Sequence, residues 1–179
     1  MRALKEKVAS KHLVGLVNNA GTYSGEGYGN RDYVGELISG RVYEDYVADE
    51  AVNVRAMINV TGTLVPDLLE GAKACGSATI LNVGSINGVL SFEDSLPYGA
   101  TKGAVEMWTD ALRRTLAGRG IRVTALQPGL MRTNMCPDAY CEPPEKTCVP
   151  AVVRALTLSE PRSRYTFVLD PEAPPDLAR

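Results

Sequence analysis

Three short apolar runs separated by helical patterns constrain the fold of this chain more than any other feature. They are Leu13-Val14-Gly15-Leu16-Val17, Ala78-Thr79-Ile80-Leu81-Asn82-Val83 and Ile121-Arg122-Val123-Thr124-Ala125-Leu126. Such short, mostly apolar runs read as strands buried on both faces. Helical spacing runs from residue 46 to about 75, from 97 to about 117, and from 149 to 158, before a last strand at 165–169. Strands that alternate with helices imply parallel crossovers, hence an α/β fold with a parallel sheet covered on both sides.

The first helix carries Val47, Val54, Ile58, Leu64, Leu68 and Leu69 on or near one stripe, and Pro66 is expected to kink or divide it. Pro97 fits the start of the second helix, and Gly118 fits its end. The stretch from Tyr23 to Gly40 is rich in Gly and Tyr without a steady period, which predicts an irregular surface insertion. Pro171, Pro174 and Pro175 mark a tail. The length of 179 residues fits one domain over 1–179, with 161–179 as a C-terminal extension.

In an open parallel sheet, ligands bind outside the carboxyl ends of the strands. Asn18-Asn19-Ala20-Gly21, Ser85 and Pro128-Gly129 all fall at or just past predicted strand ends, so three separate segments converge on one edge. Tyr98 and Lys102 are four residues apart, about one turn, and share a helix face. A phenol titrates near pH 10 and exchanges protons poorly at neutrality. A neighbouring ammonium stabilises the phenolate and lowers that value. A tyrosine, a cation one turn on and a hydroxyl from another segment make a proton-transfer site for a carbonyl or alcohol. Taken singly, each residue also fits a structural role: packing for Tyr98, a turn for Asn18 and Asn19, a cap for Thr133.

Charge and cysteine usage narrow the alternatives. A net charge of −2 argues against sequence-independent nucleic-acid binding. No apolar run approaches the roughly 20 residues of a transmembrane helix, and Met1-Arg2-Ala3-Leu4-Lys5-Glu6-Lys7 lacks a signal-peptide core, so the expected compartment is cytoplasmic. Cys136, Cys141 and Cys148 lie together but not at C-x-x-C spacing, Cys75 stands alone, and His12 is the sole histidine. Free thiols and no metal site are expected.

In these segments the chain resembles the short-chain dehydrogenase/reductase family. The resemblance rests on Asn18-Asn19-Ala20-Gly21, Asn53-Val54, Ser85, the Tyr98 and Lys102 pair, and Pro128-Gly129 with Thr133, in matching order and spacing. The stretch from Ala104 to Arg114 is similar to the corresponding helix of steroid- and retinol-type members. The resemblance implies a Rossmann-like doubly wound sheet and an NAD- or NADP-dependent oxidoreductase acting on a small-molecule alcohol or ketone. It implies that Tyr98 exchanges a proton with the substrate oxygen. Lys102 would lower the Tyr98 pKa and hold the nicotinamide ribose. Ser85 would hydrogen-bond the substrate carbonyl, and Asn53 would hold a water linking Lys102 to solvent. Asn19, Ala20 and Gly21 would border the adenosine side of the cofactor, with Pro128, Gly129 and Thr133 beside the nicotinamide and its phosphates. Met131, Met135 and Tyr140 would contact an apolar, medium-sized substrate. Helices that pack between subunits in the family imply a homo-oligomer, such as a dimer.

The family pattern departs at one end. No Gly-rich strand–turn–helix precedes Leu13, and the cluster Gly25, Gly27, Gly29 follows the first strand without opening a helix. The chain is thus expected to be N-terminally truncated, starting about 70 to 80 residues into the pattern, roughly half a doubly wound sheet of about four strands. The strand at 13–17 would then be a sheet edge, cofactor binding by this chain alone would be weak, and the fold marginal. Ala56 stands where Gly is common in the family, and the stretch from Gly21 to Asn53 is longer than usual. The alternative to a catalytic portion is an inactive fragment or pseudoenzyme that acts by association through its long helices.

Overall fold

A computed structural model describes residues 12–24, 32–93, 95–135 and 143–166, with Ala3, Glu6 and Val8. Among these, four strands form one parallel sheet in sequence order: β1 (Gly15–Asn18), β2 (Ala78–Val83), β3 (Ile121–Gln127) and β4 (Arg164–Thr166). The register aligns Leu16 with Ile80 and Val123, and Asn18 with Asn82, Ala125 and Arg164. β2 is buried along almost its whole length, as its apolar run predicts. The chain's parallel α/β class is therefore as read from the sequence.

The helices are α1 (Tyr33–Ser39), α2 (Arg41–Glu50), α3 (Met57–Cys75), α4 (Leu96–Thr115) and α5 (Cys148–Thr157). A π-helical turn, Ala51–Ala56, joins α2 to α3 without a break. α3 and α4 cover one face of the sheet, where Leu68, Ala72, Leu116 and Leu112 pack on Ile80, Ile121 and Val123. α5 covers the other, through Cys148, Ala151 and Ala155 against Leu81, Leu126 and Tyr165. All strands run in order and in parallel, so moving α5 to the opposite face gives the last crossover the opposite hand to the first two. A polar chain is buried within the α3–α4 layer. Asn18 Nδ2 donates to Thr61 Oγ1 at 2.9 Å and Asn82 Oδ1 at 2.8 Å, and Asn82 Nδ2 donates to Thr109 Oγ1 at 2.9 Å.

The structure corrects the sequence reading in three places. Residues 33–39 of the expected irregular insertion are α1. Asp32 caps its start, accepting from Gly35 N at 3.0 Å, and Gly40 ends it in the left-handed region at φ 82°. The helix expected from Tyr46 begins at Arg41, and its early stripe is reversed. Val47 is exposed, while Asp45 and Asp49 face inward. α3 runs unbroken through Pro66, so the expected division does not occur. Residues 164–166 pair with β3 as a sheet strand, at the start of the last strand read from the sequence at 165–169. The final stretch 167–179 and the Gly25, Gly27, Gly29 cluster lie outside the described residues.

Candidate active site

Lys102 and Tyr98 reach the carboxyl edge of the sheet from the first turns of α4. A close tie fixes that helix start: Asn87 Nδ2 donates to Ser95 Oγ at 2.8 Å, joining the turn after β2 to the residue before α4. Ser85 leaves the end of β2 and caps the short 3-10 turn Ile86–Gly88, its Oγ accepting from Asn87 N at 3.2 Å. The hydroxyl proton of Ser85 stays available for donation. All three side chains are buried, with Tyr98 and Ser85 at 7% exposure and Lys102 at 4%.

Lys102 Nζ donates to the Val83 carbonyl at 3.2 Å and sits 5.5 Å from the centroid of the Tyr98 ring. Burial pushes the ammonium down to about 8, while the carboxylates of Glu106 and Asp49 draw it back up. Of the three N–H donors of the ammonium, Val83 takes one.

Asn53 sits in the π-helical turn, 2% exposed, behind Lys102. Its Oδ1 accepts from Thr22 N at 2.8 Å, and its Nδ2 donates to Thr22 O at 2.9 Å and Thr101 Oγ1 at 3.0 Å. Thr101 Oγ1 in turn donates to the Tyr98 carbonyl at 2.8 Å. Asn53 thus fixes both the segment after β1 and the turn of α4 that carries the tyrosine. One turn earlier, Asp49 is fully buried and takes Ser24 N and Oγ on Oδ1, each at 2.9 Å, with no hydrogen bond to Oδ2. Desolvation raises the Asp49 carboxyl above its ordinary range. Between these anchors Tyr23 is held edge-on to Tyr98, ring centroids 5.4 Å apart at 79°.

These groups surround a cavity of about 250 Å³, near the roughly 300 Å³ lower end of small-molecule sites. Ser85, Tyr98, Lys102, Asn19, Gly21, Pro128, Gly129, Thr133, Met131 and Met135 line it. Ala20 is not among the lining residues, and Asn53 stands just behind them. Met131 also packs toward α5, where Cys148 Sγ donates to its sulfur at 2.9 Å. Tyr140 lies outside the described residues. Sequence reasoning missed Tyr23, Asn87, Asp49 and Glu106. The signal for one of them, Asp49, was present, since Asp45, Asp49 and Asn53 recur every four residues on one face.

The family described as short chain dehydrogenase matches this chain over residues 1–141. The chain belongs to the short-chain dehydrogenase family. It is 37% identical over 132 residues to a 17-beta-hydroxysteroid dehydrogenase type 6 of Bos taurus, covering 74% of this chain and 37% of that protein. It is 43% identical over 81 residues to a sulfoacetaldehyde reductase of Chromohalobacter salexigens, covering 45% of this chain and 31% of the relative. Among solved structures it is similar to a 3-ketoacyl-(acyl-carrier-protein) reductase from Brucella melitensis complexed with NADH. That likeness has a TM-score of 0.60 and 32% identity, over 75% of this chain and 51% of that one. The chain thus spans between about three tenths and two fifths of these two curated relatives. The sheet and its flanking helices are those of a Rossmann-fold family member. Among the described residues there is no cluster of metal ligands, and no helix is long and apolar enough to cross a membrane.

Proposed function

We propose that this chain carries the proton-transfer centre of an NAD- or NADP-dependent oxidoreductase that interconverts an alcohol and a ketone or aldehyde. The burial of Tyr98, Lys102 and Ser85 around one cavity at the strand ends carries this reading. The NADH complex of the similar Brucella melitensis reductase supports the cofactor class. The residues present fit the nicotinamide end of such a cofactor. Gly21 lines the same cavity, and a Cβ there would sit in ordinary contact with Lys102 Nζ at 3.5 Å and Asn53 Oδ1 at 3.4 Å, so the segment after β1 borders both polar groups. Lys102 would hold the ribose with its remaining N–H donors, with Asn19, Ala20, Gly21, Pro128, Gly129 and Thr133 bordering the cofactor. Bound there, the cofactor supplies or accepts the hydride.

In the reducing direction the phenol O–H bond of Tyr98 breaks as the substrate oxygen gains that proton. Lys102 stabilises the phenolate left behind. Ser85 donates a hydrogen bond to the same substrate oxygen, opposing charge build-up on it. Asn53 Oδ1 keeps a second lone pair beside the one taken by Thr22 N, enough to hold a water that returns a proton through Lys102. Met131 and Met135, which line the cavity, contact an apolar, medium-sized substrate. Copies of the chain associate through the outer faces of α1, α2 and α4, where Ile38, Tyr43 and Met107 are exposed.

The test is oxidation of NADH and NADPH by the full chain across a panel of ketones and aldehydes, with the cofactor at millimolar concentration because binding by this chain alone is expected to be weak. Turnover is expected with at least one class, lowered about 100-fold by Ser85→Ala with little change in KM. Unchanged turnover in Ser85→Ala would contradict the reading.

A further inference from the structure

Glu106 continues the row that Tyr98 and Lys102 begin, four residues further along the same face of α4. Its carboxyl is 6% exposed. Oε2 accepts from Gln127 Nε2 at 2.7 Å and lies 3.4 Å from Arg164 Nη2. Oε1 is buried and makes no hydrogen bond. The backbone around it is unusually close. A Cβ at Gly84 would meet Oε1 at 2.3 Å, and one at Gly88 would meet Glu106 Cγ at 3.0 Å and the Lys102 carbonyl oxygen at 2.7 Å. Gly84 and Gly88 bracket the turn that carries Ser85. Gln127 immediately precedes Pro128 and Gly129, and its Oε1 accepts from Thr166 Oγ1 at 2.5 Å. One side chain therefore touches the Ser85 turn, the Lys102 turn and the end of β3.

A plain structural role accounts for this poorly. A buried ion pair is weak support for stability, and an apolar side chain of similar volume serves a core as well. Here the carboxylate keeps one oxygen unpaired beneath a loop made thin by two glycines. Burial raises the Glu106 carboxyl, with Gln127 and Arg164 drawing it down.

We propose that Glu106 is a positioning residue that seats the Ser85 turn, the Lys102 turn and the Pro128-Gly129 strand end against one another and serves as the counter-charge of the Lys102 ammonium. This rests on the reading of Tyr98, Lys102 and Ser85 as the proton-transfer centre. The charged groups that face this pair are Asp110 and Arg113 on α4, Arg164 on β4 and Asp49 on α2.

The experiment follows Lys102 directly by NMR of ¹⁵Nζ-labelled lysine, assigned with Lys102→Arg, in the full chain and in Glu106→Gln and Glu106→Asp. In the unsubstituted protein Lys102, pushed down by burial, is expected to titrate at about 8. Glu106→Gln is expected to lower that midpoint by about one unit, the low end of what a nearby opposite charge contributes. Glu106→Asp keeps the charge and is expected to restore most of it. A measurement without any variant keeps the idea testable if both fail to fold. The Lys102 resonance should show a second inflection that coincides with titration of the Glu106 carboxyl carbon. The idea is overturned if Glu106→Gln leaves the midpoint unmoved, if Glu106→Asp lowers it as much, or if the second inflection is absent. None of these readouts needs turnover. If the midpoint moves as expected while Tyr98→Phe retains full turnover, the proton-transfer reading fails and the counter-charge stands. If Tyr98→Phe is inactive and the midpoint does not move, the counter-charge alone fails.

Discussion

At Lys102, activity and stability pull in opposite directions with pH. Burial holds its folded value at about 8 against an ordinary 10.5. Between those values the unfolded chain binds more protons at this group than the folded one, so its contribution to stability rises with pH. The proposed carbonyl reduction, in contrast, would use the charged ammonium beside a Tyr98 that gives up its proton. Reducing turnover is therefore expected to fall as pH rises through about 8, while the protein gains stability relative to Lys102→Met over the window from about 8 to 10.5. Denaturant titrations of both proteins at several pH values, run beside rate profiles, check this. A stability difference that shrinks with pH, or turnover that climbs through the window, would contradict it.

At the level of elements, two glycines of α3 separate local preference from packing. Gly62 is exposed with nothing within 4 Å of an added Cβ, whereas a Cβ at Gly71 would lie 2.0 Å from the carbonyl oxygen of Leu13. Glycine in a helix interior costs about 1 kcal/mol relative to alanine, so Gly62→Ala should stabilise by up to that amount. Gly71→Ala should destabilise by about 3 kcal/mol, because backbone of the segment entering β1 must move. Chemical denaturation of the two variants reads both signs. The same contrast explains which elements were legible in the sequence. β2 and β3 were, because a short apolar run bounded by turn residues has few other uses, as were α4 and α5, with their starts and stops. α1 was not, because Val34, Leu37 and Ile38 point to solvent and give no core-facing stripe, and only the Asp32 and Gly40 caps betray it. α2 was misread because its inner face is polar: Asp45 and Asp49 point inward, as does Asn53 in the π-helical turn that follows, and Asp49 holds Ser24 while Asn53 holds Thr22 and Thr101. For the site, Ser85, Tyr98 and Lys102 were legible because their chemistry is carried by residue type and spacing. Tyr23 and Asn87 act through contacts made only when distant segments meet, and no local pattern records them, while Glu106 continues the four-residue row of Tyr98 and Lys102 but meets Gln127 and Arg164 only in the fold.

Over the whole molecule, the exposed apolar side chains are concentrated on a few surfaces. Ile38 is 84% exposed, Met107 74% and Tyr43 72%, all on the outer helices. β1 forms one edge of the described sheet, with Val14 and Val17 exposed. Surfaces of this kind mark sites of association. The chain is expected to sediment as a dimer or larger at tens of micromolar, and Ile38→Asp with Tyr43→Asp should shift it toward monomer. A concentration-independent monomer would contradict this. The phenol of Tyr98 is the group proposed to exchange a proton with substrate beside Lys102. The most direct measurement is steady-state reduction of the best carbonyl substrate by the unsubstituted chain and by Tyr98→Phe, with cofactor binding followed in parallel by fluorescence. The predicted result is a loss of at least about 100-fold in kcat with cofactor affinity largely retained. A Tyr98→Phe protein that turns over at a near-normal rate would contradict it.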